Sequence, residues 1–134
     1  MRTRISNEQI RGPLVQQVEE ISGQDLLACN QCGRCSAGCP VVAAMDLLPS
    51  QVVRQAQLGL EETLECETIW ICASCLTCVT RCPKGVDLPR LMEALRQVSL
   101  RRGVVRIDLN ALPLELLRVL PQVAVVGAFR KYLR

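Results

Sequence analysis

Eight of the nine cysteines in this chain of 134 residues fall into two runs with the same spacing. The first run, C-x2-C-x2-C-x3-C-P, begins at Cys29, and the second begins at Cys72. Cysteine thiolates are soft ligands that bind iron–sulfur clusters and zinc. This spacing, with proline after the fourth cysteine, is that of proteins that hold [4Fe–4S] clusters. The runs therefore predict two [4Fe–4S] clusters, whose chemistry is the uptake and release of single electrons.

The spacing also predicts which cysteines share a cluster. Three cysteines separated by two residues each can reach three corners of one cluster, whereas the cysteine before proline turns toward the neighbouring cluster. Cluster 1 is predicted to bind Cys29, Cys32, Cys35 and Cys82. Cluster 2 is predicted to bind Cys72, Cys75, Cys78 and Cys39. The alternative is structural zinc, but zinc sites usually pair two C-x2-C turns and need no third cysteine or Cys-Pro fourth.

Several residues around the runs have predicted roles of their own. Cys66 lies outside both runs and is interpreted as a buried thiol, with a redox role near a cluster as the alternative. Trp70 is expected to pack beside a cluster and shield it from water. Arg34 and Arg81 either offset cluster charge or remain solvated. Tight turns with free backbone N–H groups are expected at Gly33, Gly38 and Gly85.

The residues that are missing narrow the function further. The chain has no histidine, which excludes Ser-His and Cys-His catalysis, His-ligated haem, Rieske clusters and Cys2His2 zinc sites on this chain. It also has no dinucleotide-binding glycine fingerprint and no Walker loop. We therefore predict no catalytic residue here, and the reactions that supply and consume the electrons are expected on other chains.

Apolar residues at helical spacing predict the elements that position the runs. One helix is expected to begin at Pro13 and to end at Gly23, and others to begin at Pro49-Ser50, with Ser50 as the cap, and at Leu88. Residues 104–109 are either a short strand or a linker, and 111–134 have helical spacing interrupted at Pro121. The predicted fold class is mostly α. Residues 1–110 are expected to form the dicluster domain, and 111–134 a basic, apolar helical tail that docks to a partner.

Charge and hydropathy bear on partners and location. The formal charge is +3, but residues 1–100 carry −2 and residues 101–134 carry +5. The basic segment lacks the interleaved aromatic residues of a nucleic-acid platform, so no nucleic acid is expected. The longest uncharged stretch near the C-terminus, 119–129, is shorter than the roughly 20 residues of a membrane-spanning helix. With a polar N-terminus and many thiols, the chain is predicted to be cytoplasmic.

The amino-acid sequence of the two runs resembles that of the heterodisulfide reductase C-subunit. Residues 29–41 read CNQCGRCSAGCPV, and the second run contains WIC, RCP and GVD. The similarity extends over about residues 12–103. It implies an α-helical ferredoxin fold and an electron-relay role within an oxidoreductase. In that family, electrons pass between a flavin-containing A-type partner and a B-type partner whose cysteine-rich site reduces a disulfide.

The sequence is compatible with three functions. The leading hypothesis is an electron-transfer subunit of a heterodisulfide reductase-like complex, with the flavin-containing and the cysteine-rich proteins as its partners. The second is a free dicluster ferredoxin that diffuses between its partners. The third is the cluster subunit of a membrane-associated, quinone-linked oxidoreductase, in which residues 119–129 would dock to a membrane partner.

Overall fold

A computed structural model of the chain describes residues 5–104 and 111–132, with side chains as far as residue 130. Helices are the only regular elements in these ranges, and the predicted mostly α, helical ferredoxin class is confirmed. They are α1 (Asn7–Ile10), α2 (Pro13–Ser22), α3 (Arg34–Ala37), α4 (Pro49–Gln57), α5 (Thr68–Ile71), α6 (Thr77–Arg81), α7 (Leu88–Arg101), α8 (Leu114–Val119) and α9 (Gln122–Tyr132). Short 3-10 turns lie at Leu26–Ala28, Val42–Ala44 and Glu61–Leu64.

The chain divides into two compact units, Met1–Val98 and Ser99–Arg134. The core of the first unit is built by apolar faces of α2, α4 and α7, together with residues of the connecting segments. Its most buried large side chains are Leu26, Ile69, Leu91, Met92 and Leu95. Six of the eight cysteines in the runs are partly buried, and five of these pack against this core. The core thus supports both runs from one side.

The ends of α2 follow the predicted signals. Pro13 occupies the first helical position, where its missing N–H costs no hydrogen bond. The helix ends at Gly23, whose φ of 65° is the left-handed conformation that glycine adopts without strain. The predicted helix is therefore confirmed at both ends.

The start of α4 differs from the prediction, because Ser50 is not its cap. The helix begins at Pro49, and Leu48 is the capping residue, with its N–H bonded to Oε1 of Gln51 at 2.9 Å. The backbone N–H of Ser50 donates to Oγ of Ser36 at 3.0 Å, and the two hydroxyls are 2.9 Å apart. A serine of the first cysteine run thus satisfies a free N–H at the start of α4 and ties the run to the core.

The start of α5, just before the second run, is held by Asp46. Its carboxylate accepts the backbone N–H groups of Glu67 and Thr68, each at 2.9 Å, and the hydroxyl of Thr68 at 2.7 Å. The same hydroxyl lies 2.6 Å from the carbonyl oxygen of Leu47. These bonds join the segment before α4 to the segment that leads into Cys72.

The second unit contains α8 and α9, separated at Pro121 as the sequence predicts. Many of its apolar side chains are exposed, among them Leu114, Leu116, Val119, Val123 and Val126. The predicted domain boundary at residue 110 lies outside the described residues, as does the possible strand at 104–109 apart from Val104. Among the described helices, none combines the length and apolar character needed to cross a membrane.

Candidate metal centre

The two cysteine runs fold in the same way, residue for residue. The residue before the second cysteine has a positive φ in each run, 60° at Gln31 and 52° at Ser74. The residue after it does too, with 77° at Gly33 and 63° at Leu76. A short helix follows in each case, α3 in the first run and α6 in the second. The sequence repeat is therefore also a repeat of backbone conformation.

One cavity lies at the first run. Its cysteines are the first three of this run and the fourth of the other run: Cys29, Cys32, Cys35 and Cys82. Polar backbone and side chains from residues 30–34 line its outer part, and Leu88 closes its inner part.

The other cavity lies at the second run. Three of its cysteines belong to the second run, and the first run contributes two more: Cys72, Cys75, Cys78, Cys39 and Cys35. Its remaining wall is largely apolar and includes Val41, Met45, Pro49, Pro89 and Met92. Cys35 and Leu88 line both cavities, so the two sites lie side by side with one layer of side chains between them.

This arrangement fits two iron–sulfur clusters. Four cysteines line the first cavity and five line the second, with Cys35 at both, so each has at least the four thiol donors of a [4Fe–4S] cluster. Within residues 5–104 and 111–132, no three cysteine or carboxylate side chains converge as they would around a single ion. All eight predicted ligands line the two cavities, with Cys35 at both, and which cysteines share a cluster stays a prediction.

Burial makes the thiolate form unfavourable at some of these cysteines without a metal. Burial raises the pKa of the Cys78 thiol to about 11, and the nearby Cys72 thiolate adds to the rise. Burial also raises the pKa of Cys35. At exposed Cys75, a hydrogen bond with the Thr77 hydroxyl at 3.4 Å lowers the pKa instead. Because metals bind thiolates, iron would replace the proton at the buried cysteines and supply the compensating positive charge.

Hydrogen-bond donors also approach the sulfur atoms of the first cavity. The backbone N–H of Val86 donates to Sγ of Cys82 at 3.3 Å. The side-chain amide of Gln31 lies 3.6 Å from Sγ of Cys29. Donors of this kind stabilise negative charge on sulfur and help to set cluster potentials.

Comparison with known proteins agrees with this geometry. The 4Fe–4S dicluster domain matches residues 25–86, which contain both runs and all eight of their cysteines. The chain carries a 4Fe–4S dicluster domain. It therefore binds two [4Fe–4S] clusters.

The curated proteins that this chain resembles are named as C-subunits of heterodisulfide reductase. The chain is 33% identical over 87 residues to a CoB–CoM heterodisulfide reductase iron-sulfur C-subunit of Methanocaldococcus jannaschii, covering 62% of this chain and 47% of the relative. It is 34% identical over 92 residues to the corresponding C-subunit of Methanopyrus kandleri, covering 68% and 46%. The chain is thus a homologue of the heterodisulfide reductase C-subunit, and it spans about half the length of the curated relatives it matches.

The sequence did not lead us to predict two buried polar residues that hold the cysteine runs in place. Gln57, at the end of α4, is buried and donates to the carbonyl oxygens of Leu26 at 2.7 Å and Cys29 at 2.9 Å. Arg96 of α7 is also buried, and it reaches the carbonyl oxygen of Cys72 at 3.5 Å. Each follows an apolar core residue by four positions, at Val53 and Met92. A polar residue inside an apolar helical stripe is the signal that could have found them.

The glycines of the dicluster domain serve different purposes. Gly33 and Gly85 have φ of 77° and 67° and make the turns that the sequence predicts. Gly38 lies in a turn as predicted, but its N–H is not free, because it bonds to the carbonyl oxygens of Arg34 and Ser36. The end of the Arg81 side chain lies close over Gly38, where a Cβ would come within 2.5 Å of Nη1 and displace it.

The ninth cysteine is a core residue. Cys66 is buried, and its thiol donates to the carbonyl oxygen of Thr63 at 3.2 Å. Burial raises its pKa. It lines neither of the two cysteine-walled cavities, in keeping with the interpretation as a small buried hydrophobe.

The repeat of backbone conformation makes a stability prediction. Leu76 occupies the left-handed position that glycine occupies at Gly33, and its side chain is exposed. We expect Leu76→Gly to raise the free energy of unfolding by about 1 kcal/mol, because it removes backbone strain and little packing. Gly33→Ala is the matched control and should lower it by about 1 kcal/mol, because a φ of 77° strains a residue with a Cβ. No atom would crowd that Cβ, so the change measures backbone strain alone. Anaerobic denaturant unfolding of both holo-variants measures this, and a loss of stability in Leu76→Gly would contradict it.

Proposed function

We propose that this chain is the electron-transfer subunit of a heterodisulfide reductase-like oxidoreductase complex. The observation that carries the proposal is the pair of adjacent cavities, each walled by cysteines and separated by Cys35 and Leu88. When bound, the two clusters take up and release single electrons. The partners we propose are a flavin-containing protein of the A type and a cysteine-rich, catalytic protein of the B type.

The ligand sets are part of this proposal. We assign Cys29, Cys32, Cys35 and Cys82 to cluster 1, and Cys72, Cys75, Cys78 and Cys39 to cluster 2. The cavity linings support this grouping, since each contains the fourth cysteine of the other run. The crossed arrangement ties the two runs together, so each cluster is held by residues from both.

The burial of the residues around the cysteines supports an electron relay that partner proteins can reach at two points, one in each run. Leu88 and Met92 are buried and close the inner walls, which keeps water from the space between the sites. Cys32 and Cys75 are exposed, and they occupy equivalent positions in the two runs. We infer that electrons enter near one of these cysteines and leave near the other. Thiolate sites persist where thiols stay reduced, which supports a cytoplasmic location.

The second unit supplies the proposed docking surface for a partner protein. Val119 and Val123 are 82% and 80% exposed, and the nearby Arg118 and Arg130 are exposed as well. Residues 101–134 carry a net charge of +5. Exposed apolar side chains among positive charges suit a protein partner whose own surface is apolar and acidic. We therefore propose that α8 and α9 bind such a partner.

This docking proposal predicts a loss of binding. We expect Val119→Asp with Val123→Asp to weaken association with the partner at least tenfold, because two carboxylates would be buried in an apolar contact. Neither side chain is buried in the chain itself, so the unfolding midpoint should stay the same. Binding is measured with the purified partner proteins, and Val104→Asp serves as the control outside α8 and α9. Unchanged affinity of the double variant would contradict the proposal.

Anaerobic purification of the full, tagged chain from its own cells tests the complex. We expect a bound flavoprotein and a second chain with Cys-Cys-Gly motifs, both in amounts equal to that of this chain. A monomer that exchanges electrons without these partners would favour a free ferredoxin. Recovery only in the membrane fraction with a quinone-reactive partner would favour the third function. Either result would overturn the proposal.

A further inference from the structure

The carbonyl group of the first cysteine is held differently in the two runs. At Cys29 the donor is the side-chain amide of Gln57, at 2.9 Å. At the equivalent Cys72 it is the guanidinium of Arg96, at 3.5 Å. The two runs share their spacing and backbone conformation, so this contact is a clear chemical difference between them. A neutral donor contacts the first cysteine of one run, and a buried cation contacts that of the other. The first cavity is also lined by Arg34, but this side chain is exposed, so water screens its charge.

The charge of Arg96 is directed toward the interior. Its residue is 6% exposed, and its Nε forms an ion pair with Oε2 of Glu93 at 3.0 Å. The Glu93 side chain is 31% exposed, whereas that of Arg96 is 7% exposed. Water therefore screens the carboxylate more than the guanidinium. Of these two charged side chains, the guanidinium of Arg96 is the one that contacts the carbonyl oxygen of Cys72.

A nearby positive charge favours the more negative of two redox states. A [4Fe–4S] cluster gains one negative charge on reduction, so a buried cation at one of its ligands raises its reduction potential. Gln57 can stabilise negative charge only through a neutral amide, which is a weaker effect. The donors to sulfur at the first cavity, from Val86 and Gln31, are neutral as well. Because a full buried charge outweighs neutral dipoles, the second site should hold an electron more tightly than the first.

We propose that Arg96 makes the cluster of the second run the higher-potential member of the pair. An electron supplied by a reduced flavin then comes to rest on that cluster, and the first cluster is reoxidised in the same one-electron transfer. This proposal rests on the proposed relay function. It gives the chain a preferred direction of electron flow, from the first run to the second.

The test is a redox titration of the full holo-chain, followed by EPR. Arg96→Met should lower the potential of the second-run cluster enough to change the sharing of one electron between the clusters about tenfold, which corresponds to about 59 mV. Glu93→Gln should raise the same potential, because it removes the opposing negative charge. Arg96→Lys keeps the charge and should stay closer to the unsubstituted chain than Arg96→Met does. The second-run signal is identified as the one lost in Cys75→Ala.

Opposite shifts in Arg96→Met and Glu93→Gln, with a much smaller shift of the first-run cluster, would support the proposal. A purely structural role would move both variants in the same direction and would overturn it, as would unchanged potentials. If Arg96→Met fails to bind its clusters, Glu93→Gln and Arg96→Lys decide the question by the sign and size of their shifts. If the potentials are unchanged while the chain holds about eight iron atoms, only the proposed effect of Arg96 on the potential is refuted. If the chain holds no iron, the relay function itself is refuted.

Discussion

Cys39→Ser is expected to remove the cluster of the second run, although Cys39 itself belongs to the first. The cavity of the second run contains Cys39, so its cluster would lose one of four thiolate ligands. Cys82→Ser should have the converse effect and remove the cluster of the first run. Iron content should fall in each case from about eight to about four atoms per chain.

Iron analysis and redox-monitored EPR of the two serine variants distinguish crossed from uncrossed ligation. The EPR signal lost in Cys39→Ser should match that lost in Cys75→Ala, and the signal lost in Cys82→Ser should match that lost in Cys32→Ala. Cys66→Ala is the matched control, since Cys66 lies in the core and away from both cavities, and it should keep about eight iron atoms. If each serine variant lost the cluster of its own run, the crossed assignment would be wrong.

Gln57→Met should destabilise the holo-protein by about 3 kcal/mol. The substitution removes the side-chain donor of the Leu26 and Cys29 carbonyl oxygens, and that of Leu26 keeps only the N–H of Cys29 at 3.4 Å. A lost buried hydrogen bond or unsatisfied buried group costs about 1–3 kcal/mol. The amide of Gln31 also loses its contact with Oε1 of Gln57, at 3.3 Å. These bonds hold the segment that ends at Cys29, the first cysteine of the first run. The cluster of this run should therefore lose iron faster than the other cluster.

Anaerobic denaturant unfolding and the rate of iron transfer to a chelator measure these two effects. Gln17→Met is the matched control, an exposed helical glutamine that should change stability by less than about 0.5 kcal/mol. Equal rates of iron loss from both clusters in Gln57→Met would contradict the role of Gln57 at the first run. Stability equal to that of the Gln17 control would contradict the energetic role of its two hydrogen bonds.

The sequence predicted the parts of the site that depend on local spacing. Pro13 and Gly23 delimit α2 because each suits one helix end, and the two cysteine runs group around two cavities as their shared spacing predicts. The break at Pro121 follows from the missing N–H of proline. These features need only short stretches of chain, so the pattern is sufficient to predict them.

Contacts between distant segments could not be read from the pattern. Ser36 replaces Ser50 in stabilising the start of α4, and it lies 14 positions earlier. The side chain of Arg81, a residue of the other run, lies close over Gly38. The bonds from Gln57 and Arg96 to the two runs cross 28 and 24 positions. Each depends on tertiary packing that periodicity and propensity do not encode.

The most direct test of the central claim is a reductive titration of the full chain after anaerobic reconstitution, with iron, sulfide and zinc measured on the same sample. We predict about eight iron and eight sulfide ions per chain, and the uptake of two electrons in two one-electron steps. About four iron ions, zinc in place of iron, or no uptake of electrons would contradict a two-cluster electron relay.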